Sequence, residues 1–473
     1  MKHIKFGTDG WRGIIADDFK YENIDLISWS IAAFVKEKLS NERGVIIGYD
    51  TRFNSKETAQ RISSILLDSG IDTYLVTEPT PTPVLTSEVI SRGCDLGIII
   101  TASHNDFKWN GIKLRNSNGT ALLQDELDFI ESNISIKKSK EISEKYAKNI
   151  KGLLTEISPK EGYLEDLRDK LPISDISKSS IRILVDNMFG TTINYIEDLI
   201  DVKGSPIVID SINNYVNPSF PGIKKPEPIK ENLSKLAQRI KNENYTLGLA
   251  FDLDGDRVGI VDENGEILET YQIFLLLLYY LLENQNEHLP VVKSLSVSNT
   301  ISNLAAHYKV PVIETPVGFK YLSKYLLNAE AMIAGEESGG FGFLDFNDRD
   351  GIVSSIYIIH LIIESGLSIS QILESINKIT GSTYIARKDL EFNSKNRSDL
   401  INTLKNVNSN DIYDFGLSYV DEQDGLKFSY NDGSWILIRI SGTENLLRIY
   451  AESTNQKTAD IMIDNIIKCI DIS

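Results

Sequence analysis

Short apolar runs recur along the chain, each cut off by a polar loop and separated from the next by stretches whose apolar positions return every three or four residues. The runs over 45–47, 71–76, 96–100, 181–185, 247–251, 310–313 and 332–334 predict strands, and the intervening periodicity over 57–67 and 351–363 predicts helices. Strand and helix in alternation make α/β layers. The last hundred residues break this rhythm: strand-like pieces over 383–386, 426–430, 435–440 and 447–451 precede one helix over 458–470, the pattern of a separate α+β domain. Three times an apolar strand runs into a polar loop rich in chemistry, at IIITASHN, LAFDLDGD and MIAGEESGG. In α/β sheets ligands bind at the carboxyl ends of strands.

A chain of 473 residues exceeds what one core can organise, so three or four domains are expected. The polar stretch 136–151 reads as an exposed helix or a joint, and further boundaries fall just after Val258 and near Thr380. The apolar stretch Tyr271 to Leu282 is too short to span a bilayer and predicts a buried helix. The net charge of −18 argues against a general nucleic-acid or membrane surface, so any bound phosphate must meet local positive groups. The opening MKHIKFGTDGWRG has no apolar segment of a secretory signal, and Cys94 and Cys469 lack metal-ligand or redox spacing; a cytoplasmic protein with ordinary thiols is expected.

In FDLDGDR, Asp252, Asp254 and Asp256 stand at alternate positions and can aim several hard oxygens at one point, which suits Mg²⁺ or Ca²⁺; without a cation they repel. The same residues would also cap a turn. An EF-hand is disfavoured because Arg257 occupies the position that needs glycine, although Glu263 falls at the twelfth place. RISGTENLLRIY offers a phosphate the fork of Arg439, the hydroxyls of Ser441 and Thr443 and the open backbone of Gly442. EESGG, with Glu336 and Ser338, carries the carboxylate, hydroxyl and flexible backbone that grip sugar hydroxyls, and is equally good turn chemistry. Ser103 lacks the GxSxG elbow of a hydrolase, and His104, its immediate neighbour, would point away from it on an extended chain. A phosphoryl group on Ser103 would bring charge that a cation on the aspartates neutralises, with Lys113 moving a proton to or from a sugar hydroxyl. The chain has neither a GxxxxGK[ST] loop nor a kinase motif set, so the phosphate must come with the substrate.

Taken singly, Lys113 reads as a solvated lysine, Arg12 as an ion-pair partner and His104 as a loop histidine. In order along the chain, however, FGTDGWRG, TASHN…NGIK, DLDGDR, TPVGFK, GEESGG and RISGTENLLRIYAE resemble the α-D-phosphohexomutase family, the phosphoglucomutase and phosphomannomutase group. The resemblance implies four domains around a central cleft: three α/β domains with mixed sheets over 1–148, 149–258 and 259–378, and a C-terminal α+β domain over 379–473. It implies a phospho-Ser103 that exchanges its phosphoryl group with a hexose 1-phosphate through a hexose 1,6-bisphosphate, which also serves as activator. Ser103, Asp252, Asp254 and Asp256 would hold Mg²⁺, and Lys113 would be the general acid/base. Arg12, His104 and Arg257 would support the phosphoryl site. Glu336, Ser338 and Lys320 would bind substrate, and Arg439, Ser441, Gly442 and Thr443 would clamp the non-reacting phosphate. The implied partners are small sugar phosphates, with no nucleic acid or membrane, on a monomer or a dimer.

Three departures stand out. Asp106 replaces a proline after Ser-His-Asn and is expected to loosen that turn; Gly340 stands where some relatives carry a proton-transferring histidine; Asn445 replaces a proline in the phosphate loop. Glucose or mannose 1-phosphate is the first substrate expectation and glucosamine 1-phosphate the alternative. A metal-dependent sugar phosphatase or a non-catalytic sensor would be the readings from other classes.

Overall fold

The computed structural model describes residues 4–470 apart from 8, 41, 148–150, 201–203, 393–396 and 442–445. Four sheets follow one another along the chain. The first contains β1 (Trp11–Ile14), β2 (Val45–Tyr49), β3 (Thr73–Val76), β4 (Leu96–Ile100), β5 (Trp109–Asn116) and β6 (Leu154–Ile157), in the order β1-β5-β4-β2-β3-β6. Its centre is parallel, and β5 runs antiparallel between β4 and β1. The second holds β7 (Arg182–Asp186), β8 (Val208–Ile212), β9 (Leu247–Phe251) and β10 (Val258–Val261), with β10 antiparallel to β9 at one edge. The third repeats that plan with β11 (Val291–Ser294), β12 (Val312–Thr315), β13 (Ile333–Gly335) and β14 (Phe341–Phe343), where β14 is antiparallel to β13. The fourth is antiparallel throughout: β15 (Tyr384–Glu391), β16 (Leu417–Asp421), β17 (Leu426–Tyr430), β18 (Trp435–Ile440) and β19 (Leu446–Ser453), in the order β15-β19-β18-β17-β16.

The expected layers are therefore present, and so is the terminal helix, Gln456–Ile470. Two expected boundaries move. The polar stretch forms the helix Ile136–Tyr146, tied to the helix Tyr21–Lys38 by Lys145 Nζ to Glu37 at 2.8 Å, and β6 beyond it pairs with β3. The first domain thus runs past 148 to Ile157. The second boundary, at 258, would cut β10, whose four residues are all buried against β9. The antiparallel strands β5, β10 and β14 escape the apolar pattern because each carries glycine or charge, yet they matter most for the site: each returns the chain after one of the three polar loops as a hairpin.

The helix Thr270–Glu283 is buried on nearly every side, as its composition predicts, and joins a core shared by the second and third domains. The first and fourth domains have cores of their own. Among the described residues no single helix is long and apolar enough to cross a membrane.

The fourth domain is pinned to the third by buried polar groups. Glu452 on β19 accepts from the Ser298 hydroxyl at 2.6 Å, the Thr383 hydroxyl at 2.8 Å, the Asn299 amide at 2.9 Å and the Trp435 indole N–H. A carboxylate at the start of the helix Asn299–His307 also meets its positive end. Beside it Glu314 bridges the buried Lys293, at 2.9 Å, to Lys427 of β17, at 3.2 Å. Glu452→Ala leaves several buried donors without acceptors, so denaturant unfolding is expected to show a loss of about 3 kcal/mol.

Candidate active site

The serine loop hangs between the fully buried β4 and β5, which is buried except at its two ends. Ser103 sits in the left-handed region, φ 48°, a strained setting for a non-glycine residue. Its amide donates to Thr101 Oγ1 at 2.8 Å, and its hydroxyl donates to Asp252 Oδ2 at 2.9 Å. Because the backbone is not extended there, the His104 ring does not point away as expected from the sequence: Nδ1 lies 3.4 Å from Ser103 Oγ. Burial, then the charges of Arg257, Arg12, Lys113 and Lys225, hold the His104 pKa well below its usual value, so the ring is neutral. Arg12, on β1, donates from Nη1 to Asn105 Oδ1 at 2.7 Å and so reaches the same loop from across β5.

One side chain missed in the sequence braces this loop. Arg52 points its guanidinium at four backbone carbonyls: Asp106 at 2.7 Å, Trp109 at 3.0 Å, Asn105 at 2.5 Å, and Ser103 itself. Its charge is balanced by Asp50, 3.2 Å from Nε, and its face lies over the Phe220 ring. Asp106 does not loosen the turn. Its carboxylate accepts from the Lys108 amide at 2.9 Å, an Asx turn that supplies by hydrogen bonding what proline would supply by its ring.

Asp252, Asp254 and Asp256 leave β9 on the second hairpin with all three side chains buried, and offer carboxylate oxygens within 4.8 Å of one another. The loop is gripped from the two neighbouring domains. Thr82 donates from its hydroxyl to Asp254 Oδ2 at 2.6 Å and from its amide to the Asp254 carbonyl at 2.8 Å, while the Gly351 amide donates to the Gly255 carbonyl at 3.1 Å. Gly255 has φ 72°, and a Cβ there would meet Thr192 at 2.7 Å and Pro81 at 3.2 Å. Lys113 on β5 answers the negative charge: Nζ lies 2.7 Å from Asp254, 3.0 Å from Asp256 and 3.1 Å from Asp9. Burial would lower its pKa, yet these three carboxylates raise it. For Asp252 burial and the repulsion of Asp256 and Asp254 act together and raise the pKa well above the usual carboxylate range. Asp254 Oδ1 and Asp256 Oδ1 are buried with no hydrogen-bond partner among the described residues. Two orphaned carboxylate oxygens beside a third carboxylate and a serine hydroxyl form an all-oxygen donor set that fits a hard divalent cation.

The segment between the third hairpin and the helix Gly351–Ser365 completes the cluster through a residue that carries no motif in the sequence. Arg349 donates from Nη2 to Asp9 at 2.7 Å and to Asp256 at 2.8 Å, and from Nη1 to Glu336 at 3.3 Å. It passes where a side chain at 340 would lie: a Cβ on Gly340 would come within 2.2 Å of Arg349 Cδ. The glycine that removes a histidine admits an arginine. Arg257 is held by Glu227 at 2.8 Å, and Arg115 by Asp348 at 2.6 Å and Asp9 at 3.0 Å.

Glu336 accepts from the Gly318 amide at 3.0 Å. Burial pushes its pKa up to about 7, against the opposing pull of Arg349. Ser338 is half-buried in the same loop. Lys320, half-buried on the helix Phe319–Leu327, holds its ammonium 5.1 Å from the Tyr321 ring rather than among the carboxylates. At the end of β18, Arg439 Nε donates to Asp424 at 2.6 Å, and the Ser441 amide donates to the Leu446 carbonyl at 2.8 Å. Gly442, Thr443 and Asn445 lie outside the described residues.

Three domain loops that bring together a buried serine, a carboxylate cluster fit for a cation and the buried Glu336, with a fourth domain presenting an arginine, define a multidomain enzyme site. Four family models match in succession: phosphoglucomutase/phosphomannomutase alpha/beta/alpha domains I (3–141), II (161–265) and III (269–379) and the C-terminal domain (394–468). The chain belongs to the phosphoglucomutase/phosphomannomutase, or α-D-phosphohexomutase, family, and is an isomerase of the phosphohexomutase kind. A phosphoglucomutase/phosphomannomutase of Thermococcus kodakarensis is 29% identical over 96% of this chain and 95% of its own. A phosphoglucosamine mutase of Caldicellulosiruptor bescii is 29% identical over 94% of each. The crystal structure of a protein from Thermus thermophilus, described as a phosphomannomutase by similarity, shares the architecture with a TM-score of 0.84 and 26% identity, covering 99% of each chain.

Two outcomes follow from this geometry. Arg52→Lys keeps the charge but loses the planar fork that holds the serine loop, so kcat is expected to fall about 100-fold with the fold intact by circular dichroism. Glu336 is protonated below its raised pKa and ionised above it, so a grip on sugar hydroxyls through the carboxylate strengthens as pH rises. KM is expected to drop across pH 6 to 8, and Glu336→Gln to flatten that profile.

Proposed function

We propose that the enzyme interconverts the 1-phosphates and 6-phosphates of glucose and mannose by passing phosphoryl groups through Ser103. The observation that carries the reading is the convergence of Ser103 Oγ, three buried aspartates and the Lys113 ammonium, drawn from two domains, at one point. Such a serine is prepared to hold a phosphoryl group, since hydroxyl and charge-neutralising groups are in place before substrate arrives.

In the first half-reaction the phosphorus–Oγ bond of phospho-Ser103 breaks as the free hydroxyl oxygen of a hexose 1-phosphate bonds to phosphorus; Lys113, in its neutral amine form, takes the hydroxyl proton, and Ser103 Oγ departs with the bonding pair as an alkoxide. After the bisphosphate turns over, Ser103 Oγ takes the other phosphoryl group and Lys113 returns the proton to the departing sugar oxygen. Mg²⁺ held by Asp252, Asp254, Asp256 and the phosphorylated Ser103 would stabilise charge on the transferring group and neutralise the carboxylates that otherwise raise the Lys113 pKa. Arg12, neutral His104 and Arg257 keep the phosphoryl pocket polar; Glu336, Ser338 and Lys320 bind the sugar; Arg439, Ser441, Gly442 and Thr443 hold the phosphate that is not reacting. Hexose 1,6-bisphosphate would charge Ser103 and so act as activator. A grip on both ends of the substrate suits retention of a bisphosphate; hydrolysis needs no such clamp, and the phosphatase reading is weaker for it.

Glucosamine 1-phosphate is the second reading, supported by relatives such as the C. bescii phosphoglucosamine mutase. Phosphorus NMR with Mg²⁺, a trace of glucose 1,6-bisphosphate and the 1-phosphates of glucose, mannose, glucosamine and N-acetylglucosamine separates these outcomes. Conversion of the glucose and mannose compounds to 6-phosphates is expected. Turnover of glucosamine 1-phosphate alone would replace the first reading by the second, and release of inorganic phosphate alone would replace both by a phosphatase.

A further inference from the structure

The clamp arginine is held from another loop of its domain. Asp424, in the loop between β16 and β17, places a single oxygen, Oδ2, 2.6 Å from Arg439 Nε and 2.9 Å from the amide of Val317 in the third domain. The next amide along, Gly318, donates to Glu336 Oε1 at 3.0 Å. Two consecutive N–H groups therefore face opposite ways, one toward the clamp domain and the other toward the sugar-gripping carboxylate. Gly425 makes this possible. Its φ is 101°, and a Cβ there would meet the Ile438 carbonyl oxygen at 2.4 Å and the Arg439 Cα at 3.1 Å, so only a residue without a side chain lets the loop lie this close to Arg439.

Resting on the mutase reading, we propose that Asp424 is a positioning residue for substrate phosphate. It fixes the plane of the Arg439 guanidinium through Nε, so that the fork meets the phosphate already oriented, and it fastens the clamp domain to the loop that seats Glu336. Neither bond involves the reacting atoms. Asp424 therefore acts on binding of ground and transition states alike, which appears in KM rather than kcat.

Steady-state kinetics with glucose 1-phosphate on the full chain tests this, using whichever sugar 1-phosphate turns over if glucose does not. Asp424→Ala is expected to raise KM about tenfold with kcat within about twofold of the parent. Asp424→Asn, which keeps one oxygen to accept both bonds, is expected to recover most of that loss. Gly425→Ala, which keeps the carboxylate but displaces the loop, is expected to raise KM like Asp424→Ala. A purely structural role would instead lower kcat and the unfolding midpoint together, with KM unmoved and no recovery by Asn; that result overturns the proposal and leaves the mutase reading standing. Absence of turnover in the parent enzyme with every sugar phosphate overturns the mutase reading, and the positioning role with it.

Discussion

Everything at the centre of this molecule is arranged around the cost of keeping Asp252, Asp254 and Asp256 together out of water, with the half-buried Asp9 beside them. Carboxylates buried at this density repel one another, and each buried ion carries a desolvation penalty that only close partners offset. Lys113 and Arg349 supply those partners, reaching Asp9 and Asp256 from different domains. Removing any one member therefore destabilises the others, and their pairing constrains where the surrounding hairpins end. Two carboxylate oxygens are still left without hydrogen bonds among the described residues. The protein's own cations balance much of the charge without saturating the oxygens, a state suited to accepting one more cation and the phosphate that accompanies it.

The repeated hairpin is the means of assembling this cluster. In each of the first three domains a parallel strand ends in a polar loop and the chain returns antiparallel beside it, so the loop is anchored at both ends and presents its tip to the loops of the neighbouring domains. The serine, the aspartates and Glu336 occupy these tips. Connection between them runs through charge and amide contacts rather than apolar packing: Lys113 to Asp256, Asp256 to Arg349, Arg349 to Glu336, Glu336 to Gly318, Val317 to Asp424, Asp424 to Arg439. A path of this kind is sensitive to the angle between domains, and it places Arg439 and Glu336 under one geometric constraint.

The alternation of strands and helices, and the change of rhythm near residue 380, are legible in the sequence because apolar periodicity reports which side of an element faces a core. The aspartate triad and the serine loop are legible because their chemistry is written in adjacent positions. Long-range pairing is not. Arg349 and Asp9 are 340 residues apart, and nothing near either names the other, although Asp9 lies within the FGTDGWRG motif itself. Arg52 reads as an ordinary strand-end arginine, and only the fold reveals that four carbonyls of a distant loop need its fork. Gly340 reads as a missing group, whereas its consequence is the room it gives Arg349. The left-handed backbone at Ser103, which turns His104 toward the hydroxyl, likewise has no signature in a sequence where glycine would be the usual sign.

The central claim is that Ser103 carries the phosphoryl group between the two ends of the sugar. The most direct measurement is to incubate the dephosphorylated protein with ³²P-labelled glucose 1,6-bisphosphate, with and without Mg²⁺, and to map the labelled peptide. The account predicts label on the peptide containing Ser103, dependent on the cation, lost in Ser103→Ala, and chased into sugar phosphate when unlabelled hexose 1-phosphate is added. Sugar turnover by a protein that never acquires label at Ser103, or label that stays when Ser103 is replaced, would contradict it.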